Sequence, residues 1–221
     1  GGAWTTPGGS NDATYTSSNG GFMGYGLTLD GSGDYIQASI GSGGGGIDIV
    51  EDWSVEGWFK FGDSTQGTLF GLHDNDGQST ALEFELNIGL YDNSGGNIQV
   101  CHGDCAIGDK VETTGLNLQT GQWYHIAVTH DNSDNAVDIY LNNDRVLQNG
   151  DTINFNSEPQ GTVKFFVGTG DIHGDLEADV DEVRMLKYQK MAFGGGIMLS
   201  KIEPASDSVE IYNSNPKKEI K

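Results

Sequence analysis

Cys101-His-Gly-Asp-Cys105 gathers two thiols and an imidazole within five residues, and the chain holds no other cysteine. Two chemistries suit that spacing. In an oxidising compartment the thiols would close a small loop as a disulfide. As a zinc site, two thiolates and one imidazole leave the ion short of its fourth ligand, and no second Cys/His cluster completes it. The disulfide is therefore the expectation. His73, His125, His130 and His173 are scattered singly, without a recognisable nucleophile turn nearby, and a lone imidazole in a strand or loop is usually structural or solvated. Asp74-Asn-Asp-Gly77 has the look of a calcium loop. It lacks the downstream bidentate Glu at the required spacing and so reads as a turn.

The elements that must position these groups are short. From Tyr25 onward, runs with period-2 alternation are separated by clusters of Gly, Asn and Asp, the punctuation of a β-sandwich or barrel. The clearest are Trp53–Phe61, Trp123–His130, Ala136–Asn142 and Val180–Leu186. The strict two-residue period sends Trp53, Val55, Phe59 and Phe61 to the core and leaves Ser54, Glu56, Trp58 and Lys60 on the other side. By the same rule Tyr124, Ile126 and Val128 face inward and Trp123, His125 and Thr129 outward, while Tyr140 lies outward of Val137, Ile139 and Leu141. Trp58, Trp123, His125 and Tyr140 thus share one face. If uncovered, it offers apolar rings for a sugar or a peptide.

Bulk properties bound the partners. A formal charge of −21 on 221 residues repels nucleic acid and anionic polysaccharide unless cations intervene. Calcium loading, a saline habitat and plain solubility all remain open as its reason. No run approaches 18 apolar residues, which gives an expectation of no membrane insertion. No signal-peptide pattern opens the chain, so it reads as either cytosolic or already processed. The 35 glycines and four prolines follow no triplet repeat and read as turns.

Four strings, in order, carry a resemblance: Leu29-Asp-Gly-Ser-Gly-Asp-Tyr-Ile36, Trp53-Ser-Val-Glu-Gly-Trp-Phe-Lys60, Gly121-Gln-Trp-Tyr-His-Ile-Ala-Val-Thr129 followed by Val137-Asp-Ile-Tyr-Leu-Asn142, and Val180-Asp-Glu-Val-Arg184. Together they resemble laminin-G-like (concanavalin-A-like) jelly-roll domains over roughly residues 25 to 190. The resemblance implies an all-β fold, two stacked antiparallel sheets on a jelly-roll path. It also implies calcium as a cofactor in many relatives, which carried over points to Asp30 and Asp181. Both residues would otherwise serve as turn and strand-end caps. Relatives carry aromatics on the outward face to pack under loops or a terminal segment, the commoner use of such rings.

Residues 1–24 read as an extended Gly/Ser/Thr-rich lead-in and 191–221 as a glycine hinge with a strand-like tail. Ile197-Met-Leu-Ser-Lys-Ile-Glu-Pro with Ser208-Val-Glu-Ile-Tyr-Asn213 resembles the first strands of lamin-tail domains. Such a segment is expected to pair, either with its own sandwich or with a neighbouring copy. Catalysis is not expected. Retaining glucanases on this scaffold use Glu-x-Asp-x-x-Glu, and Glu83-Phe-Glu-Leu-Asn-Ile88 lacks the Asp and the second Glu. Two functions follow: an extracellular binding or adhesion module for glycan or protein, or a subunit of an extracellular filament or surface layer assembled through its tail.

Overall fold

The alternation in Trp53–Phe61 is realised as a central strand whose odd residues Trp53, Val55, Phe59 and Phe61 are fully buried. A computed structural model describes residues 4–5, 14–15, 20–42, 48–73, 84–91, 96–106, 108–147, 152–155, 162–188 and 209–210. Among these the strands are β1 (Trp4–Thr5), β2 (Thr14–Tyr15), β3 (Leu27–Asp30), β4 (Ile36–Ser42), β5 (Trp53–Phe61), β6 (Gly67–His73), β7 (Phe84–Leu90), β8 (Ile98–His102), β9 (Lys110–Glu112), β10 (Trp123–Asp131), β11 (Ala136–Leu141), β12 (Asp144–Leu147), β13 (Thr162–Val167), β14 (Glu177–Leu186) and β15 (Val209–Glu210).

They form two antiparallel sheets. One runs β1-β4-β13-β6-β7-β8-β9, the other β12-β11-β10-β5-β14-β3-β2, with β15 added on β14. The inner faces meet through aromatic rings: Phe59 of β5 stands edge-on to Phe70 of β6 at 5.3 Å, and Phe70 stacks on Phe165 of β13. This is the two-sheet jelly-roll sandwich that the resemblance implies. The β11–β12 hairpin turns on Asn142 and Asn143, both at positive φ (51° and 75°). Asparagine tolerates that region, and the two-residue loop it permits matches the strand twist.

His130 extends the inward set of β10 by one residue. It is wholly buried, its Nδ1 lies 2.8 Å from the Glu51 carbonyl oxygen, and its ring packs on Trp53 and Phe155. Burial, partly offset by that hydrogen bond, lowers its pKa from the ordinary histidine value.

Cys101 and Cys105 are joined as a disulfide across the loop after β8. The lead-in contributes β1, paired with β4, and β2, paired with β3. At the other end, Val209 and Glu210 pair with Met185 and Arg184 of the same chain. The Asp74–Gly77 turn and Glu83 lie outside the described residues.

Candidate functional site

Register places the outward residues of the eight-stranded sheet in rows. Trp58 lies opposite His125 on one side and Asp181 on the other; Lys60 lies between Trp123 and Asp179; Glu56 lies between Ala127 and Arg184. Ala127 in turn faces Tyr140. The four residues Trp58, Trp123, His125 and Tyr140 therefore do share one face, on three adjacent strands.

Period 2 alone would not put Asp181 and Arg184 on the same face. The β5–β14 register shifts between them, and Glu182, at φ 50°, sits in the bulge. One extra residue flips the face of everything after it, so Asp181 is set beside Trp58 and Arg184 beside Glu56. Glu182 has its carboxyl pKa raised, first by burial and then by the neighbouring Asp181 charge.

The face is not open over its whole length. His125, Glu56, Ser54, Ala127, Thr129 and Asp138 all point away from the core and are all buried. In this half the face is covered, the commoner of the two uses that the sequence left open for it. His125 is taken up by Glu56, its Nε2 lying 3.1 Å from Oε2 of that carboxylate, while Arg184 engages Oε1. Tyr140 is half-buried, and the Asp138 beside it pairs with Arg145.

The other half carries an aromatic cluster that sequence reasoning missed. Phe22 stacks on Trp58, with centroids 3.5 Å apart and planes 9° from parallel, and meets Trp123 edge-on at 6.0 Å. Lys60 Nζ stands 5.4 Å over the Trp123 ring and 2.5 Å from Asp179. Phe22 is held there by backbone devices. The N–H of Gly21 donates to the Gly24 carbonyl (2.9 Å), and the N–H of Met23 donates to Asp181 Oδ2 (2.9 Å). Gly21 also has no space for a side chain: an added Cβ would come within 2.6 Å of the Gly26 nitrogen. Only this glycine turn in the lead-in hinted at Phe22's role.

Asp30 and Asp181 are not brought together. Asp30 pairs in register with Glu177, four residues before Asp181 on β14, a separation of about 13 Å at strand rise. Each carboxylate already accepts backbone N–H groups: Ser32 on Asp30, Met23 and Glu182 on Asp181. A shared calcium needs six to eight oxygens converging on one point, and no group of three or more His, Cys, Asp or Glu side chains with that potential occurs among the described residues. The residues present do not fit a common ion.

With strands, faces and the ring cluster in place, the family can be stated. A laminin-G family model described as the concanavalin A-like lectin/glucanases superfamily matches residues 30–190. The chain belongs to this superfamily. Among solved structures the sandwich is similar to domain 4 of an extracellular arabinanase from Geobacillus stearothermophilus, solved with arabinotriose: 21% identity, TM-score 0.57, covering 87% of this chain and 84% of that one. It is also similar to the Trypanosoma rangeli sialidase (15% identity, TM-score 0.53), covering 75% of this chain but 26% of the sialidase. A heptameric SAP-like pentraxin from Limulus polyphemus matches at 12% identity and TM-score 0.50, covering 72% of this chain and 78% of that one. At these identities the likeness establishes the fold. No curated protein sequence matches the chain.

Proposed function

We propose that this superfamily member is a non-catalytic carbohydrate-binding module working outside the cell, with the Phe22–Trp58–Trp123 cluster as its sugar platform. The observation that carries this reading is the stack itself: three rings gathered outside the core, with Phe22 still 41% exposed. Aromatic faces suit the C–H face of a sugar, and Lys60 and Asp179 supply a donor and an acceptor at the rim. The arabinotriose held by the similar arabinanase domain adds support for a glycan over a protein ligand. The disulfide supports an oxidising, extracellular setting. Assembly into a filament through the tail has less support, because Val209–Glu210 is paired within its own sheet.

The test is a glycan array followed by calorimetry with the best ligand. Trp123→Ala and Phe22→Ala should each weaken binding about tenfold, the worth of one ring contact. Retention of no glycan by the native protein, or unchanged affinity in both variants, overturns the reading. Release of reducing ends from the bound glycan would overturn its non-catalytic part. The platform needs no ion at Asp30 and Asp181, so melting temperatures in calcium and in chelator are expected to coincide. A calcium-dependent rise lost in Asp181→Ala would restore the shared site.

A further inference from the structure

On the far side of the molecule, the outer face of the seven-stranded sheet is crossed by the β13–β14 connection, residues 168–176. Leu86, Ile88 and Leu90 of β7 and Ile98 and Val100 of β8 belong to the core, so Asn87, Gly89, Gln99 and Cys101 face outward beneath this connection. Register sets Thr68, Gly89 and Gln99 in one row across β6, β7 and β8. The middle position has no side chain, and the ring of His173 fills it. An added Cβ at Gly89 would lie 2.4 Å from Cγ of His173, and one at Gly170 would lie 2.6 Å from Thr68 Oγ1. The connection rests on the sheet at two glycines.

Gly168 at φ 97° opens it and Gly174 at φ 74° lies two residues before its end, positions that can absorb large backbone changes. Backbone and side-chain bonds tie it to the sheet. The N–H of Thr68 donates to the Gly174 carbonyl (3.0 Å), and that of Leu176 to the Gly168 carbonyl (2.9 Å). Asp175 accepts from the Gly33 N–H (2.8 Å) and the Thr169 hydroxyl (2.7 Å). His173 is a further anchor. Gln99 gives its amide N–H to Glu112 (2.9 Å), which leaves Gln99 Oε1 to accept from His173 Nε2 at 3.2 Å. The ring therefore carries its proton on Nε2. Its Nδ1 is buried without a hydrogen-bond partner, so a proton added there would sit in the interior with no acceptor.

We propose that residues 168–176 form an acid-released strap, with His173 as the plug that charges and leaves its notch, uncovering Thr68, Asn87 and Gln99. Burial alone accounts for the low pKa of His173, about 4. The other titratable groups on the elements packed here are His73 on β6, Glu85 on β7, His102 on β8, Lys110 and Glu112 on β9, and Asp171 and Asp175 on the strap itself. Among the side chains described, none offsets the burial. Lys110 is 3.6 Å from Glu112, Glu112 is bonded to Gln99, and Asp175 is engaged as above. Once released, the ring titrates near its ordinary value, and acid favours the open strap.

Hydrogen exchange of the native chain, corrected for the intrinsic pH dependence, tests this. Opening at the Leu176 amide, which donates to Gly168, and at the Thr68 amide, which donates to Gly174, should rise about 20-fold from pH 7 to pH 5, while amides of β5 and β10 keep their protection. In His173→Gln the rise should vanish. Unchanged strap protection, a rise shared equally by β5 and β10, or the same rise in the variant would overturn the proposal. NMR titration of the unmodified protein provides an arm independent of the variant's folding. A His173 ring that titrates at its ordinary value while the strap amides stay protected also overturns it.

Discussion

Replacing Arg184 with methionine is expected to destabilise the fold by about 3 kcal/mol, a large loss for a residue with two-fifths of its side chain exposed. The reason lies in Glu56, whose carboxylate is 2% exposed and set between Arg184 and His125. A buried charge deprived of a partner keeps its desolvation penalty, and 3–5 kcal/mol is the usual range; the exposure of Arg184 places this case at the low end. The same physics predicts rescue. Arg184→Met combined with Glu56→Leu should recover most of the loss, because an apolar pair of similar volume carries no such penalty. Urea unfolding of the two single variants and the double variant measures the coupling directly. A single-variant loss under about 0.5 kcal/mol, or a double variant no better than Arg184→Met, would show that water already solvates this carboxylate.

Why this cluster escaped the sequence while the sheets did not is a matter of range. In β5, β10 and β11 the inward residues could be read directly, because strand geometry allows only two faces and one was uniformly apolar. The disulfide was legible because its cysteines stand four positions apart, whereas the β11–β12 turn was not, since Asn142 continues the alternation of the strand before it. Asp181 and Arg184 were not placed, since a bulge leaves no compositional trace and yet inverts a strand's faces. Phe22 sits 36 positions before Trp58 in a Gly-rich lead-in, and nothing local connects the two. Period 2 sent Trp58, Trp123, His125 and Tyr140 to one face correctly. It could not say that part of that face is buried, because burial there depends on segments distant in sequence.

Stability should fall as pH drops from about 6.5 towards 4, and His173 should account for about 2 kcal/mol of that loss by pH 5. Above the ordinary histidine pKa, the folded and unfolded chains both carry a neutral ring at this position, so the stabilisation is fully present. Below it the unfolded chain takes up a proton that the folded chain refuses until about pH 4. Where the unfolded state binds more protons, lowering the pH favours unfolding. His130, also lowered chiefly by burial, acts in the same direction. Glu182 acts oppositely: its raised pKa makes the folded state the better proton acceptor near the usual carboxylate range. Its partial exposure keeps that contribution small. Urea midpoints at pH 7, 6 and 5 for the native chain and for His173→Gln isolate the plug. The variant should start less stable at pH 7, having lost the ring from its notch, and should lose less on acidification, so that the two curves converge. Parallel curves would mean that His173 charges freely in the folded protein, and the acid sensitivity would then belong to His130.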